Sequence, residues 1–196
     1  MDEIKTVFYK NNGFDSASHL KEAGIPYSVV KKNLKEGKII RLRRGFYQWH
    51  EIDETNEVSV VVGLFPDGIL CMDNALFYYG YSDRTPTEWH IAVNKDTSKV
   101  RFNIQYPFIK PYYYEPHTLS IGIAKGTING IEISVYDRER TICDYLRNAS
   151  NIDREIFNKA VQGYIADPKK SIANLIDYSK RLRVFKRVQD LIGVWL

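Results

Sequence analysis

The sequence predicts an α+β protein, with a winged helix-turn-helix over residues 1–50 followed by a mixed α/β domain over residues 57–196. Two observations predict the first half: three short helical patterns in succession, then two β-branched or aromatic runs around a glycine turn. A third predicts the second half, where strand-like runs lie in the middle and helical patterns on either side.

Residues 2–11 place Ile4, Val7 and Phe8 at helical spacing, and Asn12-Gly13 ends that run. Ser16 or Asp15 caps a second helix that reaches Ala23, with Leu20 inward. Gly24 breaks the chain. Pro26 suits the first turn of a third helix, where its missing N–H costs nothing. That helix runs to Glu36 and stops at Gly37, which accepts a left-handed cap. Residues 38–42 and 46–49 then flank Arg43-Arg44-Gly45 as a hairpin.

The polar, acidic residues 50–56 mark the domain boundary. Beyond it, helices are expected over 57–64 and 73–79, and strands over 89–93, 100–104, 118–124 and 131–136. Asn129-Gly130 is a strong hairpin signal, because both residues tolerate positive φ. Helices over 138–148, 153–164, 171–179 and 184–195 complete the chain. The aromatic run Tyr112-Tyr113-Tyr114, between Pro107, Pro111 and Pro116, reads as an irregular loop packed on the sheet; base stacking is the alternative.

Of the 196 residues, 44% are hydrophobic and 27% charged, which excludes a disordered chain. No apolar run approaches the roughly 18 residues of a membrane span, and Asp2 and Glu3 do not fit a secretory signal. A cytoplasmic protein with no membrane contact is expected, with Cys71 and Cys143 as buried free thiols. Charge is unevenly placed: residues 1–50 carry net +5, residues 51–130 net −4 and residues 131–196 net +3. A polyanion would meet the two ends first.

On the third helix, Val30 and Leu34 face inward with Ile25 and Val29. Tyr27, Ser28, Lys31, Lys32 and Lys35 then fall on the outer side. A major groove admits one helix of this width, and its phosphates reward lysine. Lys38, Arg41, Arg43 and Arg44 extend the theme onto the hairpin, and the helix end near Ser16 offers backbone N–H groups. A solvated basic face is the alternative. In the tail, Lys180, Arg181, Arg183, Lys186 and Arg187 form a basic ridge, read either as solvated or as a second DNA contact. Asp137 caps the helix from Arg138, while Arg138, Arg140, Asp144 and Arg147 have the spacing of helical ion pairs.

No phosphate loop, nucleophile elbow or zinc-ligand spacing occurs, so neither a metal, a cofactor nor catalysis is expected. Glu36-Gly37-Lys38 has the spacing of a nuclease Glu-x-Lys pair but sits at a helix cap.

The segment SASHLKEAGIPYSVVKKNLKEGKIIRLRRGFY resembles the N-terminal domain of AbiE-type antitoxins, the antitoxin half of type IV abortive-infection toxin–antitoxin pairs. Asn74-Ala75-Leu76 with Tyr79-Gly80, TPTEWHIAV, VYDRERTICDYLRN (135–148) and YSKRLRV (178–184) extend the resemblance over nearly the whole chain. It implies a winged helix that represses its own operon at inverted repeats in double-stranded DNA. It also implies a C-terminal domain that antagonises a nucleotidyltransferase-like toxin without a stable complex. Asp137, Arg138, Arg140 and Asp144 belong to the matching motif of that domain. Two other readings stay open: a stand-alone winged-helix regulator with a ligand-sensing or dimerising C-terminal domain, and a DNA-processing enzyme with the same head.

Overall fold

The computed structural model describes residues 3–50, 57–191 and 193. The expected helix start at Asp2, the boundary residues 51–56 and most of the expected helix beyond 191 lie outside them. The protein is a mixed α+β chain that divides into two units. The first comprises Met1–Asp67, Val100–Phe108 and Thr127–Ile131; the second comprises Gly68–Lys99, Ile109–Gly126 and Glu132–Leu196.

In the first unit, α1 (Glu3–Lys10) buries Ile4 and Phe8. Asn12 and Gly13 then turn at positive φ into β1 (Phe14–Ser16). This strand is absent from the sequence reading, since three residues carry no measurable alternation. Ser16 caps α2 (Ala17–Glu22), its hydroxyl accepting from the His19 N–H. A turn through Gly24 leads to α3 (Tyr27–Lys35), which Gly37 closes at φ +71°. Pro26 is the residue before the helix (ψ 147°), one place earlier than expected. The strands β2 (Ile39–Arg43) and β3 (Phe46–Trp49) pair antiparallel, and β1 joins the far side of β3.

Phe8, Leu20, Ile25, Val30, Ile39, Tyr47 and Trp49 form the buried core beneath these elements. Each large apolar side chain so buried contributes roughly 1.5–3 kcal/mol. Helix α4 (Glu57–Leu64) packs on β1 through Gly63, where an added Cβ would come within 2.1 Å of the Phe14 ring.

The second unit is built on a five-stranded sheet. In chain order its strands are β4 (Ile69–Leu70), β5 (Trp89–Asn94), β6 (Ile109–Tyr114), β7 (Ile123–Ile128) and β8 (Ile131–Tyr136). Across the sheet the order is β6-β5-β4-β8-β7, with β5 parallel to β6, β4 antiparallel to β5 and β4 parallel to β8. Asn129 (φ +50°) and Gly130 (φ +78°) make the β7–β8 turn as expected. The helices are α5 (Met72–Tyr78), the short α6 (Pro116–Leu119), α7 (Arg138–Arg147), α8 (Arg154–Ala166), α9 (Ile172–Arg181) and α10 (Phe185–Leu191). Helix α7 is buried almost along its whole length, with Ile142, Cys143, Tyr145 and Leu146 in the core. Both cysteines are free and buried, and burial pushes both thiols up.

Three expected elements differ. Residues 100–104 are not a strand: Lys99–Phe102 is a 3-10 turn, with Phe102 stacked on Phe65 at 5.1 Å and Arg101 paired to Asp67. Those contacts within the first unit override β propensity. Residues 118–119 close α6, which Pro116 starts, and Gly122 at φ +73° delays the strand to Ile123. The aromatic run is no loop but β6, an edge strand. An edge tolerates Pro111, because one side of the strand donates to nothing. Among the described residues, no helix is long and apolar enough to cross a membrane.

Candidate nucleic-acid interface

Helix α3 separates its faces cleanly. Val30 and Asn33 are buried, the Asn33 amide donating to the Val29 carbonyl at 2.9 Å. Tyr27 is 66% exposed, and Ser28, Lys31, Lys32 and Lys35 are exposed beside it. The structure therefore brings all five expected outer residues onto one solvent face. The burial of polar Asn33 was invisible in the sequence, where it reads as one more surface residue among lysines.

Glu36, at the end of α3, tempers that face. Its carboxylate pairs with Lys38 at 2.8 Å and lies 3.9 Å from Lys32. The hydrogen bond from Lys38 holds the Glu36 carboxyl below its ordinary value. Among the described residues, Lys31 and Lys35 have no carboxylate within ion-pair distance, nor do Arg41 and Arg44 on the hairpin, where both are exposed. Strand β2 packs directly on α3, so the helix and hairpin cations sit on adjoining elements. The potential such a surface presents to a polyanion rests on these four side chains first.

Arg43 does not share that surface. Regular alternation would place it on the face of Arg41, but the register slips between Arg41 and Arg43. Such a bulge re-aims the side chain after it. The Arg43 guanidinium lies 4.3 Å from the Phe46 ring centroid and 5.4 Å from that of Phe65, and donates to the Leu64 carbonyl at 2.6 Å. Desolvation, with Arg101 nearby, pulls its proton affinity below the ordinary value. Ser16 is likewise engaged, as the cap of α2 and against the Ser18 hydroxyl at 2.9 Å.

In the second unit the motif residues point inward. Asp137 caps α7 by accepting from the Arg140 N–H at 2.8 Å, and Tyr178 donates to its other oxygen at 3.1 Å. Arg138 pairs not along its helix but with Asp167, at 2.7 Å. Arg140 and Asp144 form a fully buried pair at 3.0 Å. The Arg140 guanidinium lies 4.0 Å from the Tyr136 ring centroid and 4.9 Å from that of Tyr114, and donates to the Ile121 carbonyl at 2.8 Å. Burial raises the Asp144 carboxyl. Tyr114 on β6 and Tyr136 on β8, with ring centroids 6.1 Å apart, enclose this arginine, and the sequence does not show that the fold brings these two distant residues together.

The tail ridge is partly dismantled. Arg187 donates to the carbonyls of Leu146 and Arg147 at 2.6 and 2.7 Å, closing the end of α7. Lys180 lies over the Phe185 ring, and Arg181 pairs with Asp177 at 3.3 Å. All five, Arg187 included, remain exposed. Compared with known proteins, the chain matches no family model, and a search of curated proteins finds none similar to it.

Proposed function

We propose that the chain is a DNA-binding antitoxin that represses its own operon, and that it is not an enzyme. In this reading α2, the turn through Gly24 and α3 are a helix-turn-helix, and β2–β3 is its wing. The observation that carries it is the exposed face of α3. Tyr27, Ser28, Lys31, Lys32 and Lys35 share one side of a helix whose other side is core, next to a hairpin bearing Arg41 and Arg44. Lysines on such a helix grip phosphates, and the tyrosine and serine reach base edges or backbone oxygens. Arg43 is left out of the contact set, because its guanidinium holds the first unit together.

The antitoxin half of the proposal rests on the resemblance of residues 135–148 and 178–184 to AbiE-type antitoxins. The partner is then a nucleotidyltransferase-like toxin opposed without a stable complex, and the location is cytoplasmic. Binding of the full chain to duplex DNA from its own promoter, against an unrelated duplex, tests the first half. The full chain bearing Lys31→Ala, Lys35→Ala and Arg44→Ala tests the second. It should lose the promoter yet still rescue cells from the co-expressed toxin. A chain that ignores its promoter at low ionic strength sinks the repressor reading, and a chain that never rescues sinks the antitoxin reading.

A further inference from the structure

The second unit carries an open cleft of about 750 Å³ that the DNA-facing surface does not use. Arg147 reaches it from the end of α7, and Arg181 and Arg183 from the end of α9. Tyr113 and Tyr114 line it from β6, and His117 from α6. Ile121 and Leu182 supply apolar lining. The acid on the rim, Glu115, is paired with Lys95 at 2.9 Å, and Arg181 holds Asp177 only through an exposed contact. The local balance is positive.

We propose that this cleft binds a nucleoside phosphate, with the arginines on the phosphate oxygens and a tyrosine ring against the base. Guanidinium forks match phosphate in pairs of parallel hydrogen bonds, and every base offers a face to an aromatic ring. A cleft of this size lies within the range that holds ligands of nucleotide dimensions.

Two further features support a built site. Arg183 sits at φ +58°, in the left-handed region, where it ends α9. The Val184 N–H reaches back to the Ser179 carbonyl at 2.8 Å, and the Arg183 N–H to the Lys180 carbonyl at 3.1 Å. Glycine is the usual residue at such a helix end, and an arginine there is strained. Strained residues of this kind cluster at ligand sites. The cleft walls are also fixed in advance. Buried Arg140 donates to the carbonyls of Thr118 and Ile121, both in the lining, and Arg147 donates to that of Leu182. A preformed site loses less on binding than one that must be ordered.

The test is calorimetric titration of the full chain with ATP, GTP, adenosine and inorganic phosphate. ATP or GTP is expected to bind at a single saturable site, with adenosine and inorganic phosphate each at least about tenfold weaker. Arg181→Ala and Arg183→Gly should each weaken the nucleotide by about tenfold, the scale of one lost charge-assisted contact. Arg183→Gly should also raise the thermal midpoint, so its loss of affinity is not a loss of fold. Promoter binding should be unchanged in both variants, and Lys31→Ala with Lys35→Ala should leave nucleotide binding intact, which keeps this site separate from the repressor reading. Absence of ATP and GTP binding at millimolar concentration overturns the proposal, as does undiminished binding in Arg183→Gly. Arginine variants that weaken only promoter DNA, with no nucleotide bound by the parent chain, assign the residues to DNA and overturn it equally.

Discussion

Arg43 donates to the main-chain carbonyl of Leu64, the last residue of α4, at 2.6 Å. Arg101 donates to the same carbonyl at 3.3 Å and pairs with Asp67. Two guanidinium groups thus close the carboxyl end of a helix, where the helix dipole favours positive charge. Arg43→Lys keeps the charge but loses the planar stack on Phe46 and the fork geometry. The expected cost is about 1–2 kcal/mol in urea unfolding, with promoter affinity at fixed salt unchanged in the folded protein. A variant as stable as the parent but weaker on DNA would return Arg43 to the interface.

For the unpaired cations the expectation is reversed. Each of Lys31, Lys35 and Arg44 that neutralises a phosphate releases roughly one counterion on binding. Single alanine variants should each lower the slope of log affinity against log salt by about one, for operator and unrelated duplexes alike, with little change in stability. Lys32 shares Glu36 with Lys38 and should change the slope less. Equal slopes for all variants would count against α3 as the contact.

The Arg140–Asp144 pair is a matter of stability. Both side chains are fully buried, and removing one leaves the other charged without its partner. Arg140→Met should cost roughly 3–5 kcal/mol. The double variant with Asp144→Leu should recover part of that loss, because the orphaned carboxylate is gone. Chemical denaturation of the three proteins decides this. A double variant less stable than the single would mean that Asp144 contributes through groups other than Arg140, such as its hydrogen bond from Tyr114.

Asp167 gives a pH signature. Despite desolvation, hydrogen bonds from Tyr81 at 2.6 Å and Arg138 at 2.7 Å hold its carboxyl at about 2, below its ordinary 3.8. A carboxyl depressed in the folded state favours folding fully above its unfolded value, and that contribution disappears as the solution is acidified toward the folded value. Asp167→Asn should therefore be less stable than the parent at pH 7 and converge with it between about pH 4 and pH 2. Urea midpoints across that window measure it, and parallel profiles would remove Asp167 from the acid response.

Much of the first unit was legible because its signals are local. Ser16 caps α2, Gly37 ends α3, and apolar spacing names Ile4, Phe8, Leu20 and Val30 as core. In the second unit the same holds for Asp137 at the start of α7 and for Asn129-Gly130 between β7 and β8. What stayed hidden depends on residues distant in sequence. Strand β1 exists only because β3 lies beside it. The 3-10 turn at 99–102 exists because Phe65 and Asp67 receive its side chains. Of the cations chosen from sequence, those on α3 kept their exposed place because helical period fixes a face. Arg43 and Arg187 turned to main-chain carbonyls because a bulge and a helix end, neither visible in composition, set their direction.

The first unit is assembled from three stretches of chain, the last of them the residues 127–131 around the β7–β8 turn. A ribosome delivers these stretches in sequence, so a nascent chain stalled before residue 127 holds α3 and the β2–β3 hairpin but lacks part of the unit they belong to. Arg43, already against Phe46, waits for residues up to Phe65 before the Leu64 carbonyl and its second ring are present. Completion of the first unit is therefore tied to synthesis of residues up to 131, and a chain ended after the hairpin lacks every part of that unit that follows it.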